Sequence, residues 1–425
     1  MGLNKIGRNS IWMMLEKIIS IFGLFFVTSY VAKYIGPSLF GELSLAMAIF
    51  QIVQIVSQMG GDNIIFKRVS KNPDSGVRLI RSSFLMRLAV YVAISVAVLG
   101  YFYTVDDTTS FIFCIAVCIA SFFTTLDVYA IYNNSQLRSK YNTISNVIGL
   151  GIGLGIRYLI ALMQWDPALL AIPIVLTTAI PFFIRRHDFI TRSASVTMMG
   201  RNWKSAAKKY SKYMIMSGSS IVLSSISVAI YTRINQIFIS DFLGSYQLGI
   251  YSVALTLATA WTFALASIIT SFYPSIYADT NDRTAMAKAV KLNRIVFLCS
   301  ALVIAGFALF GRQAIALLYG AQYAAAYLPA LILSVGTMLS LMGSIAYRYV
   351  IKYSGFSYLS KKMFLILAFS LPVSYLLIKQ HGLIGASVSV VLVELLSLTV
   401  MNYFFKNGLI VKLHIGSIGF AWGVK

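Results

Sequence analysis

The chain has 425 residues, of which 58% are hydrophobic and 11% are charged. A soluble globular domain carries about 25% charged residues, so this composition excludes a protein that faces water on all sides. The apolar runs are long and continuous, which excludes a barrel of short alternating strands. The sequence therefore predicts an all-α membrane protein in which apolar runs of roughly 17–25 residues cross the bilayer as helices.

The net charge of +22 arises from 35 basic and 13 acidic residues. In a soluble protein this excess would indicate nucleic-acid binding, but in a membrane protein Lys and Arg collect in cytoplasmic loops. Six basic residues fall within 67–87, eight within 185–212 and four around Lys361. This asymmetry predicts cytoplasmic N- and C-termini, and we expect no nucleic-acid partner and no cleavable signal peptide.

The cysteines and histidines give no sign of a metal or redox site. Cys114, Cys118 and Cys299 lie in apolar runs without a CxxC pair, and the three histidines are scattered. We expect no metal site and no cofactor.

Twelve membrane spans can be placed along the chain, each with bounds uncertain by about three residues. They are 11–33, 42–60, 84–103, 110–130, 143–163, 168–184, 213–240, 246–272, 293–311, 322–347, 361–379 and 383–405.

A short uncharged turn joins the first two spans and recurs in the second half of the chain. Tyr34–Gly41 reads YIGPSLFG, and Phe242–Gly249 reads FLGSYQLG. The sequence thus predicts two six-helix lobes, and an even number of spans per lobe relates them by a two-fold axis along the membrane normal. The predicted hinge or gate residues on the outer face are Gly36, Pro37, Gly41, Gly244 and Gly249.

The most polar segment separates the two lobes. We predict an N-terminal lobe at 1–184, a basic cytoplasmic linker at 185–212, a C-terminal lobe at 213–405 and a cytoplasmic tail at 406–425. Lys204–Lys212 can form an amphipathic helix on the anionic inner leaflet, although an ordinary basic loop is the favoured interpretation.

Basic side chains inside the spans are the first candidates for a binding site, because an intramembrane charge faces protein or a wet cavity. Arg157 and Arg233 come from different halves and can face one central cleft, where two guanidinium groups would suit a diphosphate or an acidic sugar. Lys17 can add a further positive charge to this site, or it can pair with neighbouring groups at the level of the lipid headgroups. A structural ion pair between Arg157 and Glu394 is an equally favoured interpretation.

Acidic side chains inside the spans are candidates for ion coupling. A desolvated carboxyl group can exchange a proton as a cavity alternates between sides. Glu394, near the middle of the last span, is the best candidate, and Asp127 and Glu16 are further ones. A buried ion pair that fixes the last span is the slightly favoured alternative for Glu394.

The run Gly149–Gly155 reads GLGIGLG in the fifth span. Its glycine spacing is similar to that of a dinucleotide-binding fingerprint, but that motif follows a β-strand and no strand is predicted before this run. Glycines four apart, such as Gly151 and Gly155, allow helices to approach closely, so packing is the favoured interpretation.

Four segments taken together resemble a known family. They are VAKYIGPSLFGELSLAMAIFQIVQIVSQMGGDNIIFKRVS, INQIFISDFLGSYQLGIYSVALTLATAW, LLYGAQYAAAYLPALILSVG and HGLIGASVSVVLVELLSLTVMNYFF. Their order resembles that of the polysaccharide transporter family, the O-antigen and lipopolysaccharide repeat-unit flippases, over nearly the whole chain. The resemblance implies a twelve-helix fold shared with the multidrug and toxic compound extrusion (MATE) exporters.

The resemblance also implies a function. The expected substrate is an undecaprenyl-diphosphate-linked oligosaccharide, moved from the inner to the outer leaflet of the bacterial inner membrane. An O-antigen polymerase and a chain-length regulator are the expected partners. Relatives often carry an Asp where this chain has Asn235, so ion coupling here must use another acid or none.

Three alternatives remain open at this stage. One is a drug or cation antiporter of the same fold, which would need a cleft dominated by acidic groups. Another is a membrane-embedded polysaccharide polymerase or glycosyltransferase, which generally needs a sizeable outer loop with catalytic acids or histidines. The third is a structural partner in the assembly complex. Because no nucleotide-binding loop is present, we expect an ion gradient rather than ATP to drive transport.

Overall fold

The computed structural model describes residues 2–105, 108–193 and 203–418, with most side chains of 2–24 and all of 203–222 excepted. These ranges form helices joined by short turns, and no strand occurs within them, which confirms the predicted all-α class. The helices are α1 (Gly2–Gln58), α2 (Gly61–Lys71), α3 (Pro73–Val105), α4 (Thr108–Leu126), α5 (Val128–Ser135), α6 (Ser139–Met163), α7 (Ala171–Arg192), α8 (Trp203–Ala260), α9 (Thr262–Tyr277), α10 (Asp282–Leu318), α11 (Tyr327–Lys352), α12 (Phe356–Leu398), α13 (Val400–Tyr403) and α14 (Leu409–Ile418).

Three of these helices are broken at a glycine. The break in α1 lies at Gly36 (φ 78°, ψ 171°), and that in α8 lies at Gly244 (φ 83°, ψ 173°). This backbone region is open essentially only to glycine. The two glycines that align in sequence therefore share one backbone geometry, as an internal duplication predicts. The third break, at Gly382 in α12, falls between two predicted spans.

The lengths and exposed faces of the helices fit a membrane. Within the described ranges, nine stretches are long and apolar enough to cross one. Crossing a bilayer takes about 20 helical residues, whereas α1, α8 and α12 contain 57, 58 and 43 residues. Large apolar side chains such as Leu302 and Leu317 are more than two-thirds exposed. This is a multi-pass membrane protein, and the number of twelve crossings stays a prediction.

The chain divides into two compact units, residues 1–229 and 230–425. In the first unit, α1 packs on α4 and α6, and α7 packs on the same two helices. In the second unit, α11 packs between α10 and α12. The predicted linker is partly helical: α7 continues to Arg192, and Lys204–Lys212 forms the beginning of α8.

The glycine run does pack helices, but in a different register from the one predicted. A β-carbon at Gly149 or Gly153 would lie 2.5 Å from Pro181 or 2.2 Å from Thr177 on α7, whereas one at Gly151 or Gly155 would meet no described atom within 4 Å. The example of Gly151 and Gly155 was therefore wrong. The first and third glycines of the run, rather than the second and fourth, allow α6 and α7 to approach.

The described part of the predicted tail is ordered against the second unit. Arg294 on α10 donates from Nη2 to the carbonyl oxygen of Gly416 at 2.6 Å and from Nε to that of Ser417 at 3.1 Å. A guanidinium at these carbonyls satisfies acceptors that the last turn of α14 leaves free.

Candidate polar cavity in the second unit

A cavity of about 690 Å³ opens among α8, α9, α11 and α12, and all of its lining belongs to the second unit. This volume lies in the range of small-molecule binding sites. The lining combines apolar residues with hydroxyl, amide and charged side chains, although the surrounding helices are those of a membrane-spanning bundle. A polar cavity at this position is costly to maintain and indicates a ligand or ion pathway.

Rows of hydroxyl groups run along the cavity wall. On α11, Thr337, Ser340 and Ser344 are spaced three and four residues apart and so share one helix face. Several of these hydroxyls donate to their own helix, as Thr337 does to the carbonyl oxygen of Leu333 at 2.9 Å. Their oxygen lone pairs then remain free to accept hydrogen bonds from a ligand. The other serine and threonine residues of the wall are Thr232, Thr256, Thr259, Thr262, Ser370, Ser374 and Ser389.

Two guanidinium groups line the cavity. Arg233 donates to Oε1 of Gln236 at 3.0 Å. Arg348 lies 5.0 Å from the ring centroid of Tyr273 and approaches the hydroxyl of Thr270 at 3.5 Å. In the described part of the chain, neither makes an ion pair with a carboxylate. Both therefore retain donors for an anionic ligand.

Glu394 is the one acidic residue of the described cavity wall. Ser340, on α11, lines the same cavity. Lys362 is 4% exposed and donates to Oδ1 of Asn402 at 2.9 Å. Glu394 thus faces a cavity whose described wall also carries two guanidinium groups.

Asn235 connects α8 to both segments of α12, the arm before Gly382 and the arm after it. Its Nδ2 donates to Oγ of Ser389 at 3.0 Å and to the carbonyl oxygen of Ala386 at 3.2 Å. Ser374, on the other arm, donates to Ser389 at 3.4 Å. This network holds the wall of the cavity together with neutral groups.

The structure brings together two of the predicted site residues, Arg233 and Glu394, in one cavity. Arg157 lies on α6 in the first unit, with a buried Nε that has no hydrogen-bond partner in the described residues. Its predicted roles, as ligand contact or as partner of Glu394, stay predictions. The side chains of Lys17 and Glu16 lie outside the described part of the chain.

Asp127 occupies a structural position. Its carboxylate forms a buried ion pair with Arg185 and caps α5 by accepting from the backbone N–H of Ala130 at 3.3 Å. Arg185 also donates to Oδ1 of Asn146 at 2.7 Å. These contacts tie the junction of α4 and α5 to α6 and α7.

Sequence reasoning missed Arg348 as a cavity residue, because it assigned this residue to the basic loop around Lys361. The helices extend beyond the apolar runs: α11 ends at Lys352 and α12 begins at Phe356. The spacing of Thr337, Ser340, Ser344 and Arg348 is the signal that could have identified Arg348.

Several solved structures share this architecture. An inward-facing MATE family multidrug resistance transporter of the MOP superfamily matches with a TM-score of 0.71, at 14% identity over 97% of each chain. An outward-facing transporter of that family matches with a TM-score of 0.62, at 16% identity over 97% of this chain and 95% of the other. A MOP superfamily transporter from Pyrococcus furiosus matches with a TM-score of 0.57, at 16% identity over 97% and 94%. The chain therefore has a MATE-like fold.

Sequence comparison identifies the family. Residues 6–278 match the model of the polysaccharide biosynthesis protein family. Over 410 residues the chain is 23% identical to the capsular polysaccharide biosynthesis protein CapF of Staphylococcus aureus, with 94% of this chain and 99% of that protein covered. The chain therefore belongs to the polysaccharide biosynthesis protein family.

Proposed function

We propose that this chain is a flippase for undecaprenyl-diphosphate-linked repeat units of O-antigen or a related polysaccharide. It carries them from the cytoplasmic to the periplasmic leaflet of the bacterial inner membrane by alternating access. The family match supports a polysaccharide substrate. The observation that carries the proposal is the hydroxyl-lined cavity with two guanidinium groups free of carboxylate partners in the described part.

The chemistry of the cavity suits a glycan with an anionic group. Sugar hydroxyls donate to and accept from Ser and Thr side chains. The guanidinium groups of Arg233 and Arg348 provide fixed positive charge and paired donors for phosphate or carboxylate oxygens. A drug cation would instead meet a described wall that carries two guanidinium groups and one carboxylate, which disfavours a cation exporter.

Transport then proceeds in three stages. The diphosphate and sugar enter from the cytoplasmic side and are held by Arg233 and Arg348, with Arg157 and Lys17 contributing further positive charge. The two lobes rock, and the glycine breaks at Gly36 and Gly244 serve as hinges on the outer face. Glu394 takes up and releases the coupling ion, while Asp127 and Glu16 are less favoured for that role.

A deletion strain tests this function directly. We expect lipid-linked repeat units to accumulate on the cytoplasmic side and the wild-type gene to restore export.

The substitutions Arg233→Ala and Arg348→Ala test the binding site. Each removes a charge-assisted hydrogen bond of roughly 1.5–3 kcal/mol, so export should fall roughly tenfold or more.

The matched control is Arg312→Ala, because Arg312 is exposed and lies over the ring of Tyr327, outside the cavity. It should export normally at equal protein level. Full export by the Arg233→Ala/Arg348→Ala double variant contradicts the cationic cavity, and a deletion strain without accumulated repeat units contradicts the flippase.

A further inference from the structure

The contacts around the cavity show how its helices run relative to one another. A β-carbon at Gly336 on α11 would lie 3.1 Å from Val390 on the second arm of α12. A β-carbon at Gly355, just beyond the end of α11, would lie 2.8 Å from Phe405, just beyond the end of α13. As the numbering rises along α11 it therefore also rises along the second arm of α12, so these two segments run side by side in the same direction.

The segment of α8 before the break at Gly244 runs the opposite way. Its Asn235 donates from Nδ2 to Oγ of Ser389 at 3.0 Å, and Leu243, further along α8, lies 3.7 Å from where a β-carbon at Gly382 would stand. As the numbering rises along α8 it falls along α12. Asn235 is therefore level with Ser389 and, across α12, with the neighbourhood of Gly336.

This alignment separates the two guanidinium groups of the cavity. Arg233 comes just before Asn235 on α8, which places it level with about Thr337 on α11. Arg348 lies three turns beyond Thr337 on the same helix. At a rise of 1.5 Å per residue, the two arginines are about 16 Å apart along the cavity.

The contacts of the two guanidinium groups keep them at these separate levels. Arg233 donates to Gln236 at 3.0 Å, which lies further along α8 and hence away from Arg348. Arg348 lies 5.0 Å from the ring centroid of Tyr273, whose hydroxyl donates to the carbonyl oxygen of Ile345 at 2.5 Å. One diphosphate cannot bridge them, because two phosphates that share an oxygen keep their charged oxygens within a few ångströms of each other.

The lining between the two arginines suits neutral groups. Thr259 and Ser344 donate to carbonyl oxygens of their own helices at 2.8 and 2.7 Å, so their lone pairs are free to accept from sugar hydroxyls. Glu394 follows Val390 by one turn and is level with Ser340. Its carboxylate can also accept from hydroxyls, and it would repel an anion placed here.

We propose that the cavity holds an acidic oligosaccharide with its two anionic groups in separate subsites. The diphosphate lies at Arg348, the carboxylate of an acidic sugar lies at Arg233, and neutral sugar lies along the hydroxyl rows between them. Arg348 is one turn from the end of α11, near the level of the lipid headgroups, where the diphosphate of a substrate whose tail stays in the bilayer must lie. The lipid-linked diphosphate rests on the proposed function; the separation of the two anion subsites does not.

Two model ligands on the purified full-length protein in detergent test the separation. Geranyl diphosphate carries a diphosphate without a sugar, and aldotriouronic acid carries one uronic acid on a neutral disaccharide. By isothermal titration calorimetry, Arg348→Ala should weaken the binding of geranyl diphosphate roughly tenfold and leave that of aldotriouronic acid within about twofold. Arg233→Ala should do the reverse. The ligand that each variant still binds shows that the variant is folded.

Three controls accompany this pair of variants. Arg312→Ala should bind both ligands like the wild type. Xylotriose, which has no carboxylate, should bind equally to the wild type and to Arg233→Ala. Arg233→Lys and Arg348→Lys keep the charge but lose the paired donors, and they should show the same division in weaker form if an alanine variant does not fold.

Four results overturn the proposal. Equal losses of both ligands in one folded variant indicate a single shared anion site. Unchanged binding of geranyl diphosphate in Arg348→Ala, or of aldotriouronic acid in Arg233→Ala, removes the corresponding subsite. A loss of xylotriose binding in Arg233→Ala means that this arginine contacts neutral sugar. Binding of short-chain phosphatidylglycerol as tight as that of geranyl diphosphate, and equally dependent on Arg348, makes Arg348 a contact for bilayer lipid.

These measurements and the deletion strain fail independently. If the two ligands separate as expected while the deletion strain accumulates no repeat units, the proposed function fails and the two subsites stand. If repeat units accumulate and the two ligands respond alike to both variants, the subsites fail and the proposed function stands.

Discussion

Buried charges in this protein divide into those that face the cavity and those that hold helices together. Asp127 and Arg185 belong to the second group, with side chains 9% and 8% exposed. Burying two ions costs free energy that their attraction must offset, and removing one partner leaves the other uncompensated. The pair therefore fixes geometry without adding much net stability.

This reasoning predicts the effect of Asp127→Asn, which keeps the shape of the side chain and removes its charge. Because Arg185 stays charged and buried, the free energy of unfolding should fall by about 3–5 kcal/mol. Chemical or thermal unfolding in detergent measures the loss. Asp188→Asn is the control: Asp188 pairs with Arg138 and Arg192 in a more exposed position, where such pairs contribute about 0–1 kcal/mol.

The opposite result would reassign the residue. If Asp127→Asn unfolds like the wild type and yet fails to export, Asp127 takes part in ion coupling and the structural interpretation is wrong.

The broken helices are the elements that repeat between the two units. At Gly36 and Gly244 the chain ends one helical segment and begins the next without a loop, so the angle between the segments depends on one residue. In α1, Pro37 follows the break at a position where its fixed φ suits the first turn of a helix. In α8 the residue after Gly244 is Ser245, so this break has a glycine but no proline.

Gly244→Ala isolates the cost of that backbone conformation. Among the described residues no atom lies within 4 Å of the new methyl group, so its effect comes from the φ of 83° and not from a clash. We expect a loss of about 1–3 kcal/mol in the free energy of unfolding. Gly306→Ala is the control, because Gly306 lies in α10 with equally open surroundings and without a positive φ. Equal stability of the two variants would contradict strain at the break.

At the scale of the whole molecule, sequence reasoning predicted the all-α membrane class and the paired glycine turns, because apolar length and a repeated turn are local signals. It could not choose between the two registers of GLGIGLG, since that choice depends on where α7 lies. It also missed Arg348, because α11 continues to Lys352, beyond the end of the apolar run, so a basic residue in its last turns resembles a loop residue. Contacts between distant segments, such as that between Lys362 and Asn402, have no local signal.

The distribution of Lys and Arg yields a prediction about orientation, with the turn at Tyr34–Gly41 on the outer side and the connection before α12 on the cytoplasmic side. Ser38→Cys should react with a membrane-impermeant maleimide in intact spheroplasts, whereas Ser357→Cys should react only after lysis; both positions are exposed. The unmodified protein is the control, because Cys114 and Cys118 are buried and Cys299 is partly buried within α10. The reverse pattern of labelling would place the turn at Tyr34–Gly41 in the cytoplasm. The proposed hinges would then act on the side where substrate enters, and the direction of transport assigned here would be wrong.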